Sequence, residues 1–412
     1  MKKISLLVVM LLFLIGLRSA KAQWTPQTSG TASPLYSVSV VNDNVVWACG
    51  GAGTVIRTTN GGANWTNVSA APVAGDLYNV YAMDQSTALV TNSGASATVW
   101  KTTNGGATWN QVFVQPGGFI NVIDINSSGA GFMQGDPVGG RWSLWRTTDG
   151  GTNWDSTLAY LPQAGSEAGW NNSLYINGVN IWFGTNNSKV YYSSNGGLTW
   201  TSQSTPQTNT YTIWFNNTLS GVSGGTAGIR TINGGTNWTS TTIGGTGNVT
   251  GSAGYGTNFL MSQGTNIYRS TNNGASFTVD FTGSTQILDM GISRTGTRLW
   301  AVGSTGAIYT NDGVVSINNI TTTTPDKYSL SQNFPNPFNP TTKINFDITK
   351  NDFVTLKVYN TVGQEVSNLV SKNLTARSYE VNFDVANLTS GIYFYTITAG
   401  DFVQTKKMML VK

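Results

Sequence analysis

The chain has 412 residues, too many for one ordinary hydrophobic core, so at least two folding units are expected. Charged residues make up only 10% of the chain and aromatic residues 11%, which excludes a coiled coil and an intrinsically disordered protein. Histidine is absent, which excludes Ser-His-Asp and Cys-His catalysis and histidine-liganded zinc, and the formal net charge of +4 comes entirely from the first 22 residues, which argues against a nucleic-acid-binding surface.

The N-terminal segment has the three parts of a secretory signal peptide. Lys2 and Lys3 precede a mostly apolar run over 4–17, and Ala20-Lys21-Ala22 follows. This pattern predicts a signal peptide over 1–22, cleaved between Ala22 and Gln23. A membrane anchor is the alternative, but it would need about 20 apolar residues. We therefore expect an exported protein.

A repeat of about 42 residues dominates 23–313. Each copy has three strand-like segments, a turn motif of the type Thr-x-Asn-x-Gly-x-x-Trp, and a fourth strand-like segment. Four short strands per repeat are typical of a β-propeller blade. Six clear motifs and a degenerate one at 309–313 predict a seven-bladed β-propeller over 23–313. The mature chain begins Trp24-Thr25, like the segments that follow the motifs, so 24–30 are expected to complete the seventh blade.

The turn motif has a structural explanation. Its Asn or Asp side chain can accept hydrogen bonds from backbone amides, its Gly permits positive φ, and its Trp can pack on the neighbouring sheet. The motif resembles the Asp-box of sialidases and sortilin-like receptors, and the whole arrangement resembles propellers of the photosystem II assembly factor family. This resemblance implies a structural turn remote from the binding face. The polar and aromatic box positions are Asn60 and Trp65, Asn104 and Trp109, Asp149 and Trp154, Asn195 and Trp200, Asn233 and Trp238, and Asn272 and Phe277.

Departures from the repeat provide the candidate ligand-binding residues. The third repeat is lengthened over 133–145, the fourth opens with 165–174, and the fifth has a tryptophan on its first strand. Aromatic rings near acid and amide groups suit sugars or extended peptides, whereas the alternative is longer loops that seal the channel. We therefore expect a non-enzymatic binder of glycan, peptide or protein, with an assembly factor for another exported protein as a further possibility. The candidate residues are Asp136, Arg141, Trp142, Glu167, Trp170, Asn171 and Trp214.

A glycoside hydrolase is the alternative function. Asp124 and Asp289 lie on predicted first strands, which face the central channel of a propeller, and paired carboxylates hydrolyse glycosidic bonds. Nothing in the sequence places the two together, and a turn-capping role is the simpler interpretation. Sialidase activity is not expected, because the propeller has one glutamate, Glu167, and four of its arginines occupy a position fixed by the repeat. No metal site or cofactor is predicted.

The C-terminal part consists of a linker over 314–327 and a domain over 328–412. Its short alternating segments predict a small Ig-like β-sandwich, preceded by a proline-rich ordered loop. The motifs Asn333–Phe338 and Leu356–Val366 resemble the C-terminal sorting domain of type IX secretion. This resemblance implies export across the outer membrane by that machinery, and either removal by a sortase-like protease or retention on the surface. An adhesive or carbohydrate-binding sandwich is the alternative. The expected sorting residues are Gly391, Tyr393, Lys406, Lys407 and Lys412.

Overall fold

The computed structural model describes residues 24–294, 298–311, 317–320, 324–339, 341–384 and 388–411. The described residues form 35 strands and two short 3₁₀ turns, Gly51–Gly53 and Ser304–Gly306. The predicted signal peptide and its cleavage site, Ala22 and Gln23, lie outside the described residues, as does Lys412.

Seven sheets are formed by the described strands between Thr25 and Asn311. We number them as blades by the order of their first strands. Blade 1 contains β2 (Leu35–Val40), β3 (Val46–Gly50), β4 (Val55–Thr58) and β5 (Thr66–Asn67). Blade 2 contains β6 (Leu77–Ala82), β7 (Ala88–Ser93), β8 (Ser96–Thr102) and β9 (Asn110–Pro116). Blade 3 contains β10 (Ile120–Ile125), β11 (Gly131–Val138) and β12 (Arg141–Thr147). Blade 4 contains β13 (Gly169–Asn177), β14 (Asn180–Thr185), β15 (Lys189–Ser193) and β16 (Thr201–Ser204). Blade 5 contains β17 (Thr212–Phe215), β18 (Gly221–Gly224), β19 (Gly228–Thr231) and β20 (Thr239–Thr241). Blade 6 contains β21 (Val249–Tyr255), β22 (Asn258–Gln263), β23 (Asn266–Ser270) and β24 (Thr278–Thr282). Blade 7 contains β25 (Ile287–Ile292), β26 (Leu299–Gly303), β27 (Ile308–Asn311) and β1 (Thr25–Gln27).

The blades form a closed ring. Each first strand contacts the first strand of the next blade, and β25 of blade 7 contacts β2 of blade 1. Strand β1 pairs antiparallel with β27, with Thr25 opposite Thr310, so the N-terminal segment supplies the outer strand of blade 7. This pairing confirms the expectation that residues within 24–30 complete the last blade.

Apolar side chains between the blades hold the ring together. The box tryptophans pack on the preceding blade, as Trp109 does on Trp47 and Trp65 on Trp300, with ring centroids 6.4 and 5.7 Å apart. Rings of this size bury large apolar areas, and their edge-to-face contacts add specificity to the packing. Each blade junction is therefore a small hydrophobic core of its own.

The Asp-box turns have the predicted geometry. In blade 1 the side-chain oxygen of Asn60 accepts the N–H of Asn64 at 2.9 Å, and the box residues of the five following blades accept equivalent N–H groups. The backbone N–H of Gly61 donates to Asn44 O, in the turn between β2 and β3. The boxes therefore lie on the same face of the ring as the turns between first and second strands, and we call it the box face.

Blade 3 departs from the prediction of four strands per repeat. Its sheet has three strands, and only isolated bridges, such as Arg146 with Asp155, stand in for a fourth. The reason is local, because the Asp155 carboxylate accepts the N–H and hydroxyl of Thr157 and turns the chain away from the sheet.

The C-terminal region forms two four-stranded sheets, in the orders β28-β33-β30-β29 and β32-β31-β34-β35. One apolar cluster, with Phe346, Leu356 and Tyr395 among its members, draws on both sheets. Strand β28 lies within the predicted linker and pairs with β33, and β30 was not anticipated from the sequence. The strands are β28 (Ile317–Asn319), β29 (Ser329–Leu330), β30 (Thr341–Ile348), β31 (Asp352–Tyr359), β32 (Glu365–Leu374), β33 (Arg377–Asp384), β34 (Gly391–Ala399) and β35 (Phe402–Leu410).

The proline-rich segment before β30 is an ordered loop, as predicted. Asn333 is buried, and its side-chain amide donates to Pro335 O and to Thr342 Oγ1 at 3.0 and 2.9 Å. Phe334 exchanges two backbone hydrogen bonds with Lys343, at 2.9 Å each. The loop is therefore fixed to the sheet by its own amide groups.

Candidate binding site

The first strands surround a central cavity of about 810 Å³. Both predicted channel aspartates, Asp124 and Asp289, line it, and so does Trp214. A cavity of this size with mixed polar and aromatic walls is typical of ligand-binding sites. The ring therefore has a channel with two ends, one on the box face and one on the opposite face.

A belt of polar side chains joins blades 7, 1, 2 and 3 at the channel wall. Asp289 Oδ2 accepts the N–H of Val38 at 2.9 Å, Ser37 Oγ accepts that of Val80 at 3.3 Å, and Asn79 Oδ1 accepts that of Ile123 at 3.0 Å. A first strand is an edge strand, so these acceptors satisfy N–H groups that the sheet leaves unpaired. Asp289 is thus part of the ring's structure.

Blade 4 closes one end of the channel with an enlarged bulge. In blade 1 the register between β2 and β3 shifts by one extra residue, whereas in blade 4 residues 170–173 all lie opposite Gly184. A Cβ at Gly184 would lie 2.3 Å from Ser173 Oγ, so only glycine leaves room for this bulge. We call residues 170–173 the plug.

Asn172 anchors the plug across the channel. Its backbone has φ of 61°, and its side chain accepts from Ser37 Oγ and Asn79 Nδ2 at 3.1 and 2.8 Å and donates to Tyr36 O at 3.0 Å. These partners belong to blade 1, three blades away from blade 4 around the ring, and to blade 2, two blades away. Bulges often redirect side chains next to functional sites. In this bulge the contacts of Asn172 across the channel and the hydrogen bond from Ser173 Oγ to Thr210 O hold the backbone in place.

The plug presents two adjacent polar groups without partners. Trp170 Nε1 and Asn171 Oδ1 are buried atoms with no hydrogen-bond partner among the described residues. The ring of Trp170 packs edge-on against Tyr211, with centroids 4.4 Å apart, so the indole is held in place. Many other buried side-chain atoms of the described residues also lack a partner, so what sets this pair apart is its position in the plug, where a bound water or ligand would satisfy both groups.

Three aromatic side chains extend from the plug end of the channel. Tyr36 stacks on Tyr78 at 5.8 Å, and Tyr78 contacts Phe119 at 4.9 Å. Each is half-buried, and they come from three consecutive blades at the start of the first strands. We call these three residues the aromatic arc. It lies on the face opposite the boxes.

Two other predicted residues, Asp136 and Glu167, make contacts at or within the segment that directly precedes the plug. Asp136 accepts the Gly169 N–H at 2.7 Å and Asn121 Nδ2 at 2.9 Å, while burial raises the pKa of its carboxyl. Glu167 is buried and pairs with Lys189 at 2.5 Å. Burial alone would raise the pKa of Glu167, but hydrogen bonds led by the one from Lys189 hold it below its usual value.

Trp142 and Arg141 lie within the protein's own contacts. The Trp142 ring is fully buried, and its Nε1 donates to Glu167 Oε2 at 3.4 Å. Arg141 donates to Ser156 O and Ala159 O and so fixes the long loop of blade 3. Neither side chain is placed to contact a ligand on the plug. The structure thus brings Trp170 and Asn171 to one place and leaves Trp214 deeper in the channel.

Asp124 and Asp289 occupy separate environments. Burial raises the pKa of Asp124, while Arg294 and Tyr81 lower it, and burial raises the pKa of Asp289 to about 7. The groups that act on Asp124 are Arg294, Tyr81 and Ile125, whereas Asp289 interacts with Val38, Met290 and Ser37, so the two carboxyl groups have different partners. Among the described residues, no group of three or more potential metal-ligating side chains comes together.

Solved structures with similar folds are β-propellers. "YCF48 bound to D1 peptide" matches with TM-score 0.55 and 16% identity over 70% of this chain and 96% of that one. YCF48 from Cyanidioschyzon merolae gives 0.54 and 17% over 70% and 98%, and the WD40 propeller domain of Doa1 gives 0.54 and 11% over 71% and 97%. At these identities the likeness shows the fold alone. It confirms the predicted all-β propeller.

Two family matches complete the comparison. Residues 19–133 match the photosynthesis system II assembly factor YCF48 family, and residues 332–412 match the secretion system C-terminal sorting domain. The search of curated proteins finds no significant match. The N-terminal part of the propeller is thus similar to the YCF48 family over 19–133, and the C-terminal match to a type IX sorting domain indicates export to the cell surface or extracellular space. The part of the chain that the structure describes contains no helix suited to span a membrane.

Sequence reasoning missed Asn172, Tyr211 and the aromatic arc. Asn172 follows two residues that were selected, but nothing in its type indicates a reach across the channel. The only available signal was the repeated Leu-Tyr at 35–36 and 77–78, which opens the first strands of blades 1 and 2. Leu-Tyr also fits an ordinary strand pattern, and the register shifts at Tyr36 and Tyr78 are not visible in sequence.

Proposed function

We propose that the protein is a non-enzymatic binding propeller that captures an extended peptide segment of an extracellular partner at the plug. One observation carries this proposal, namely the unpartnered Trp170 Nε1–H and Asn171 Oδ1 on adjacent residues. A donor beside an acceptor matches the C=O and N–H of a peptide group. The anchoring of Asn172 keeps both groups in position, which lowers the entropy cost of binding.

The surroundings of the plug fit the same ligand. The aromatic arc offers half-buried rings for apolar side chains, and Tyr211 supports the indole of Trp170. Tyrosine and tryptophan are enriched at the centres of protein interfaces. One solved propeller of this fold, YCF48, is described as bound to a D1 peptide, which supports a peptide ligand for this chain.

The proposal is tested by selecting binders from a peptide-display library against the full mature chain, with a glycan array in parallel. Trp170→Ala should weaken the selected peptide by more than about tenfold, because it removes both the donor and the stacking surface. Tyr160→Ala is the matched control, since this exposed ring lies on the blade 3 loop, and it should change affinity little. Retained affinity in Trp170→Ala would refute the site, and binding of glycans alone would refute the ligand class.

A hydrolytic role has less support. Asp289 accepts the Val38 N–H, and the groups that act on the two channel aspartates are different. We therefore infer that the cavity does not house a two-carboxylate glycosidase. Release of reducing sugar from a polysaccharide panel by the mature chain, abolished in Asp124→Asn, would contradict this inference.

A further inference from the structure

At one level of the channel, four consecutive blades contribute large or charged side chains and the other three contribute small residues. The strand registers place one residue from each of the seven first strands at this level, and four consecutive blades contribute large or charged groups. The other three blades contribute small ones. In blade order from blade 2 these residues are Tyr81, Asp124, Tyr175, Trp214, Ala253, Gly291 and Ser39.

The large residues form a half-ring around the carboxylate of Asp124. The charge of Asp124 contributes to raising the pKa of Tyr81 and of Tyr175, after burial, so it lies near both phenols. Tyr175 contacts Trp214 edge-on at 5.0 Å, and Trp214 Nε1 donates to Asn216 Oδ1 at 2.9 Å. Of the small residues opposite, Ser39 and Gly291 line the cavity, whereas Ala253 is buried between blades.

The charges of the cavity favour a cation. The described lining residues include the carboxyl groups of Asp84, Asp124 and Asp289 and one cationic group, that of Arg294. Burial raises the pKa of Asp289 to about 7, and Arg294 is near enough to Asp124 to lower its pKa. Asp84 and Asp124 nevertheless outnumber the one guanidinium. The Arg294 guanidinium lies 4.4 Å from the Tyr81 ring centroid and donates to Ala82 O at 2.6 Å. This level of the channel therefore already accommodates one organic cation on an aromatic face.

We propose that the half-ring binds a second organic cation, a guanidinium or alkylammonium group, between Asp124 and the rings of Tyr175 and Trp214. Aromatic faces combined with a carboxylate are a general means of recognising such cations. The cavity lining continues to Met83, Asp84 and Ser127, next to the turns of the box face, while Asn172 occupies the other end. The cation therefore enters from the box face, and this site is separate from the plug.

Titration calorimetry on the full mature chain tests this proposal. Three cationic probes, N-acetyl-arginine amide, N-acetyl-lysine amide and choline, are compared with 3,3-dimethyl-1-butanol, the neutral isostere of choline. We expect at least one cation to bind and the neutral isostere to bind at least about tenfold more weakly than choline if choline binds. Preference for the amino acid amides would indicate a partner's side chain, and preference for choline a small quaternary ammonium.

Variants distinguish the half-ring from other acidic surfaces. Asp124→Asn should weaken the cation at least about tenfold, because it removes the charge while keeping the shape. Asp155→Asn, the same change on an exposed residue of blade 3, should leave the affinity within about threefold. Absence of cation binding in the unmodified protein, equal binding of choline and its neutral isostere, or unchanged affinity in a folded Asp124→Asn would overturn the proposal.

Discussion

Asp289 shows how one side chain joins two blades of the ring. Its carboxylate accepts the Val38 N–H at 2.9 Å and is almost fully buried, and burial raises its pKa from 3.8 to about 7. The folded protein therefore holds a proton on Asp289 at pH values where the unfolded chain has released it. Because the folded state binds more protons in this window, the contribution of Asp289 to stability falls as the pH rises from about 4 to about 7.

This reasoning predicts the effect of Asp289→Asn. The amide oxygen can still accept the Val38 N–H, and the variant no longer has to bury an ionised group at neutral pH. Urea unfolding between about pH 4 and pH 8 should show that the variant gains stability relative to the unmodified protein as the pH rises, by about 4 kcal/mol at most. Identical pH dependence in the two proteins would show that Asp289 does not titrate in this way.

The N-terminal strand is the element on which closure of the ring depends. Strand β1 pairs with β27, and the adjacent Trp24 is buried, with its Nε1 donating to Asp280 Oδ2 at 2.9 Å. Asp280 in turn forms an ion pair with Arg269 at 2.8 Å. Residues 24–27 thus contribute a buried aromatic side chain and cover the outer edge of β27.

Deletion of 23–30 should therefore lower the melting temperature by at least about 5 °C, because it exposes the edge of β27 and removes the buried Trp24. Pro26→Ala is the matched control, since Pro26 is exposed, and it should melt close to the unmodified protein. Differential scanning calorimetry provides the measurement. An unchanged melting temperature after the deletion would mean that the segment does not stabilise the ring.

The elements differ in how far the sequence predicts them. The blades were predictable because each Asp-box fixes a hairpin through local hydrogen bonds, as Asn60 does with Asn64. Strand β30 was not anticipated because the prolines before it indicate a loop. The loop character does not extend into Thr341–Ile348, which form the strand. The missing fourth strand of blade 3 follows from the Asp155 turn, which competes with sheet formation.

The candidate site was only partly predictable for a physical reason. Trp170 and Asn171 stood out as departures from the repeat, but their importance comes from Asn172, which contacts blades 1 and 2 across the ring. Trp142 stood out for the same reason, yet it fills the core beside Glu167. Sequence identifies unusual segments, whereas only the closed ring decides which side chains reach the channel.

The whole molecule combines a propeller with a C-terminal sorting domain. Its sorting domain indicates export by type IX secretion, so the partner of the propeller is expected outside the cell. The plug and the aromatic arc lie on the face opposite the boxes, and the hydrogen bonds of Asn172 hold the plug in place there. We propose that this face binds a peptide through the plug.

The most direct test is an ¹⁵N NMR titration that follows the indole N–H signals of the 14 tryptophans in the mature chain while the selected peptide is added. The Trp170 signal, assigned by its loss in Trp170→Phe, should move as the peptide occupies its unpartnered Nε1–H, while the signal of the core residue Trp142 should remain in place. A Trp170 signal that does not move when the protein is saturated with peptide would contradict the claim.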